Sequence, residues 1–106
     1  MKGATLVTLN NEKEEQYVTT MMKSLTSMSF WIGLNDPDKD GNYKWLDKSN
    51  STYRNWFNKR IGSCVMATSG GWSDENCFSL HSSVCEYKQG RKQLYAVNVI
   101  KLFHKM

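Results

Sequence analysis

The chain has 106 residues, room for one domain, and carries 14 Lys and Arg against 10 Asp and Glu. Its net charge of +4 comes without basic–aromatic interleaving or a groove-reading motif, which argues against nucleic acid as a partner. No run of about eighteen apolar residues offers a transmembrane segment. Four Trp, five Tyr and four Phe describe a core of a few large rings. Such a chain buries somewhat under ~70% of its unfolded surface, so a crosslink would help it.

Residues 5–9 read as a short extended segment. Asn11 then makes an N-cap, with Glu14 at the capping-box position. The helix beyond it is expected to bury a stripe of Tyr17, Met21 and Leu25, with Val18 and Met22 alongside. Glu12, Glu14 and Glu15 near its start and Lys23 near its end complement the helix dipole. Beyond Ser29 the pattern turns to strands. Residues 30–34 form an apolar run closed by the turn opener Asn35-Asp36-Pro37, and residues 43–46 alternate. A polar loop anchored by Tyr53 and Trp56 leads to a strand at 64–67, a Gly70-Gly71 turn and a last strand at 84–87. One helix followed by short aromatic strands predicts an α+β domain. Residues 91–106 regain hydrophobicity without a period and end basic, a solvated tail.

Three cysteines leave one over after pairing. Asn50-Ser51-Thr52 is an N-glycosylation sequon in a turn-like stretch, fitting an exported surface loop. The chain nevertheless opens Met-Lys-Gly-Ala with no apolar signal segment, a conflict that points to a fragment or truncated isoform.

The ordered series Gly3-Ala4-Thr5-Leu6-Val7, Phe30-Trp31-Ile32-Gly33-Leu34, Tyr43-Lys44-Trp45, Asn55-Trp56, Cys64, Trp72-Ser73-Asp74, Cys77 and Cys85 resembles the C-type lectin-like domain. Gly3-Ala4 and Cys64-Val65-Met66-Ala67-Thr68 are similar to repeats of the mannose-receptor group. The resemblance covers residues 1–88 and leaves 89–106 as a tail outside it. It implies a fold of one main helix, short antiparallel strands and a long loop, with the family's N-terminal strands missing. It implies a Cys64–Cys77 disulfide, worth about 3 kcal/mol for a loop of that size. It implies that Cys85, whose family partner would lie upstream of Met1, is unpaired, and that the last strand lacks a neighbour. Trp31, Gly33, Trp45, Trp56 and Trp72 take family core positions. One N-terminal truncation then accounts for both the odd cysteine and the absent signal segment.

The resemblance also frames the chemistry. Calcium takes six to eight oxygen ligands, and sugar-binding relatives supply them from a Glu-Pro-Asn or Gln-Pro-Asp element and from Trp-Asn-Asp. Here Asp74 and Asn76 are the candidate ligands left, Ser73 stands where the family has Asn, and the first element is replaced by Phe57-Asn58-Lys59-Arg60-Ile61-Gly62. A core Trp with a turn-forming Ser-Asp outweighs the calcium reading. A second calcium candidate is the EF-hand-like run at residues 36–47, with Asp36, Asp38, Asp40, Gly41 and Asp47 at the expected positions. Pro37, Lys44 and flanking strands instead of helices count against it. A zinc site of Cys77, His81 and Cys85 lacks a fourth ligand and a finger spacing. No phosphate loop or nucleophile elbow appears, so an enzyme is not expected.

The sequence thus predicts an extracellular or receptor-ectodomain binding module directed at a protein or glycan. No cofactor is required, and calcium is the one candidate ion. Residues 58–63 and 68–71 are the exposed recognition candidates. The rivals are a calcium-dependent lectin with a degenerate site, and a truncated isoform without function of its own.

Overall fold

The computed structural model describes residues 4–24, 29–59, 62–89 and 91–97. Gly3, Leu25, Arg60, Ile61 and the tail past residue 97 lie outside the described residues. The order is β1 (Ala4–Leu6), α1 (Glu12–Ser24), β2 (Phe30–Asn35), β3 (Lys44–Trp45), β4 (Trp56–Asn58), β5 (Cys64–Thr68), β6 (Gly71–Glu75), β7 (Ser82–Gln89) and β8 (Arg91–Val97).

α1 starts where its cap predicts. The Glu14 amide donates to Asn11 Oδ1 at 2.8 Å, while Glu14 Oε1 accepts from the Asn10 amide at 3.0 Å. Val18 and Met22 are buried as expected and Met21 packs against the core, but the inward face is shifted toward Glu15 and away from Tyr17. Glu15, Val18 and Met22 turn inward, at i, i+3 and i+7, and Tyr17 is 64% exposed. The stripe is rotated because Glu15 answers donors in the core.

The strands form a single sheet, β1-β7-β2-β5-β6-β4, with β3 on β2 and β8 on β7. Most neighbours are antiparallel, as the resemblance implies, while β2–β7 and β4–β6 run parallel. The central strand β2 alternates. Phe30, Ile32 and Leu34 enter a core completed by Val7, Leu9, Val18, Met22, Trp45, Val65, Ala67, Trp72 and Val84. Gly33 lies where β1 crosses closely. Its amide donates to Val7 O at 2.8 Å, and an added Cβ would stand 2.5 Å from Leu6 O.

Residues 91–97, which show no period in the sequence, form β8, paired with β7 from Ser83↔Val97 to Gln89↔Arg91. The last strand therefore has a neighbour, contrary to expectation. A cation at an inward position disguises the alternation. Leu94 and Ala96 pack against the core on the same face as Lys92, whose Nζ donates to Thr8 O at 2.6 Å and Glu14 Oε1 at 3.0 Å. Lys92 also lies 3.5 Å from Oε1 of the buried Glu86, which in turn accepts from the Thr8 amide.

Candidate ligand-binding site

The site grows from the hairpin β5–β6, which the Cys64–Cys77 disulfide closes with Cα atoms 5.2 Å apart. Gly71 makes its turn at φ +128°, where a Cβ would meet Asn55 O at 2.8 Å. β6 then delivers Trp72 into the core and carries Ser73 and Asp74, both buried, toward the disulfide.

Trp72 is fixed by a carboxylate. Its indole N–H donates to Glu15 Oε2 at 2.7 Å, while Glu15 Oε1 accepts from the Tyr53 hydroxyl at 2.5 Å and Asn55 Nδ2 at 3.0 Å. Burial, and then the Glu15 carboxylate, push the Tyr53 phenol upward. One helix residue thus holds β6 and the long loop together. Rings of Trp45, Tyr53 and Trp56 meet Trp72 edge-on at 5.6–6.1 Å between centroids.

The candidate calcium ligands point at protein. Asp74 Oδ2 accepts from the Tyr43 hydroxyl at 2.9 Å, and burial followed by Asp74 raises that phenol to about 12. Asn76 Oδ1 accepts from the Phe78 amide, and the Ser73 hydroxyl donates to Glu75 Oε2. Beside them the Lys59 ammonium sits over the rings of Tyr43 and Trp56 at 5.2 and 5.6 Å. A cavity of about 520 Å³ opens here, lined by Lys39, Ser63, Asp74, Glu75, Asn76 and Phe78, with Phe78 fully on the surface. Phe57, also exposed, lies over Gly70.

The EF-hand-like run is a turn between β2 and β3, not a loop between helices. Asp36 is buried and accepts from the amides of Asp40 and Gly41, Asp40 from that of Asn42, and Asp47 from that of Ser49. The Asn42 amide, and then Asp36, hold the Asp40 carboxyl below its ordinary range. Asp38 is exposed. Among the described residues, no three side chains of His, Cys, Asp or Glu gather as metal ligands.

Trp45 and Trp72 are buried, and Trp56 is half-buried against the core. Trp31 is not in the core. The β2 alternation turns it to the other face, where it is half-buried and meets His81 edge-on at 5.0 Å. Cys77 is spent in the disulfide, so the Cys77–His81–Cys85 zinc site is not assembled. Cys85 is a free thiol on β7, half-buried, and burial pushes it upward. Asn50 is exposed. Of the recognition candidates, residues 58, 59, 62, 63 and 68–71 are described and surround the base and turn of the β5–β6 hairpin. No individual part in the site was read from the sequence for Glu15, Lys59, Tyr43 or Lys92. Glu15 is four residues past the cap and reads as dipole compensation, and the others act across long stretches of chain.

The result is a disulfide-closed hairpin on a sheet backed by one helix, with loops at both the base and the turn of the hairpin. The family model of the Lectin C-type domain matches residues 1–87, and the chain belongs to that family. It is 33% identical over 98 residues to C-type lectin domain family 6 member A of Mus musculus, covering 82% of this chain and 46% of that protein. It is 30% identical over 95 residues to C-type mannose receptor 2 of Homo sapiens, covering 82% and 6%. The crystal structure of human lithostathine matches with a TM-score of 0.75 at 28% identity, covering 84% of this chain and 69% of that one. The chain spans less than half the length of both curated relatives. No helix among the described residues is long and apolar enough to cross a membrane.

Proposed function

We propose that this chain is an extracellular ligand-binding module, without catalysis, that engages a protein or glycan surface independently of calcium. The reading rests above all on one contact, the Tyr43 hydroxyl on Asp74 Oδ2. That hydrogen bond engages Oδ2 of the carboxylate that a calcium ion would need, Asn76 Oδ1 likewise accepts from the Phe78 amide, and the Ser73 hydroxyl is turned to Glu75 as a donor. Calcium requires six to eight converging oxygens; the residues here do not fit it. The Lys59 ammonium, stacked on Tyr43 and Trp56, supplies a positive charge beside them. Export agrees with a disulfide in a small domain.

The contact surface runs along the hairpin, with Phe57 exposed over its Gly70 turn and Phe78 exposed on the cavity at its disulfide-closed base. Exposed aromatic rings rimmed by polar groups suit a protein partner. Binding to a mannose-type sugar, the ligand in the mannose receptor's name, would need another device for the vicinal hydroxyls.

Thermal unfolding in millimolar calcium and in excess EDTA tests this. A ligand bound only by the folded form raises its midpoint, so the two curves are expected to coincide within about 1 °C. A midpoint several degrees lower in EDTA would overturn calcium independence in favour of a calcium-dependent lectin. Loss of any cooperative transition would overturn the independent module.

A further inference from the structure

Another cavity, of about 420 Å³, lies away from the hairpin, between β3 and the loop leading to β4. Three cations line it, Lys44, Lys48 and Arg54, and no carboxylate does. The nearest acid in sequence, Asp47, accepts from the Ser49 amide through Oδ1. The charge is therefore one-signed in a chain whose overall excess is only +4.

The three cations are presented differently. Arg54 is fixed: its Nη1 donates to Ser51 O and Tyr53 O at 3.0 and 2.9 Å, its Nη2 to Tyr43 O at 3.3 Å, and it lies over the Trp45 ring. With those donors engaged it contributes charge more than a fork for binding. Lys44 and Lys48 are exposed. Lys48 has φ +66°, a conformation that a side chain rarely adopts, in a turn closed by its amide on Trp45 O.

We propose that this cleft binds a sulfated saccharide. Lys44 and Lys48 pair with sulfate groups, Arg54 sets the field, and the hydroxyls of Ser51 and Thr52 meet those of the sugar. A volume near 420 Å³ falls in the range of small-ligand sites. The chemistry favours a saccharide over a nucleic acid, because binding single strands needs open ring faces for stacking. Here Trp45 is 3% exposed and capped by Arg54. Asn50 lines the same cleft, so a glycan attached there would compete for it.

The test is calorimetric titration of protein with unmodified Asn50, using a heparin hexasaccharide and its fully desulfated counterpart. The sulfated probe alone is expected to bind, more weakly as salt rises. Lys44→Ala with Lys48→Ala should weaken it about tenfold, from two partly exposed charge contacts. Lys13→Ala with Lys23→Ala removes the same charge from exposed positions on α1, and should change affinity less than about twofold. No binding, equal affinity for the desulfated probe, or equal losses in the two double variants would each overturn the proposal. All four lysines are exposed, so the folded state is expected to survive, which the unfolding curve verifies.

Discussion

At the scale of single residues, one carboxylate governs more of this molecule than any signature residue. Glu15 is 6% exposed, and it accepts from Trp72, Tyr53 and Asn55. A buried carboxylate is tolerable only when its oxygens are answered by donors, and here the donors come from the loop and strand that a helix must hold. Glu15→Ala strands the indole N–H of a wholly buried tryptophan together with a phenol and an amide. The expected loss is about 2–4 kcal/mol in urea unfolding, since hydrogen bonds to a charged group are worth more than neutral ones. Glu15→Gln keeps an acceptor oxygen, loses the charge and should fall between. A Glu15→Ala loss below about 0.5 kcal/mol would mean that water replaces the carboxylate at no cost.

At the scale of elements, β8 shows how a strand outside the family match is fastened. Its backbone pairs with β7 over seven positions, and the side-chain contribution is a cation: Lys92 joins β8 to Glu14 of α1, Thr8 beyond β1 and Glu86 of β7. Glu86 is 2% exposed, so removing the partner leaves a buried charge less well answered. Lys92→Met preserves length and apolar stem, and is expected to cost about 1–3 kcal/mol and to speed amide exchange in the middle of β7. The double variant with Glu86→Gln should recover part of that loss, because contacting residues couple. If exchange in β7 is unchanged by Lys92→Met, the strand is held by its backbone and apolar contacts alone.

At the scale of the whole molecule, what was legible in the sequence was whatever is local or punctuated. The Asn11 cap, the turn after β2, the Gly71 reversal and the Trp72-to-Cys77 signature each occupy a few residues. Their physics is carried by neighbours in the chain. The contacts that shape the site are not local: Tyr43 reaches Asp74 across 31 positions and Glu15 reaches Trp72 across 57. No periodicity reports such a pairing, and a Glu facing inward even displaced the predicted stripe of α1. The parallel placement of β7 beside β2 was hidden for the same reason, and Lys92 disguised β8. The Cys64–Cys77 link is the one long contact that the family resemblance exposed, and it makes the most direct prediction about the whole fold. It closes a loop with a separation of 13 residues, for which chain entropy gives about 3 kcal/mol. In a domain of this size that corresponds to a fall in midpoint of roughly 10–20 °C on reduction with a phosphine. The third cysteine should stay out of the exchange. Burial raises the Cys85 thiol, so little reactive thiolate exists near neutral pH. Its reaction with an alkylating reagent should be slow there and accelerate as pH rises past the ordinary thiol range. Rapid labelling of Cys85 at neutral pH, or mixed pairing of Cys85 with Cys64 or Cys77 in the oxidised protein, would show that β7 opens far more readily than its three strand neighbours imply.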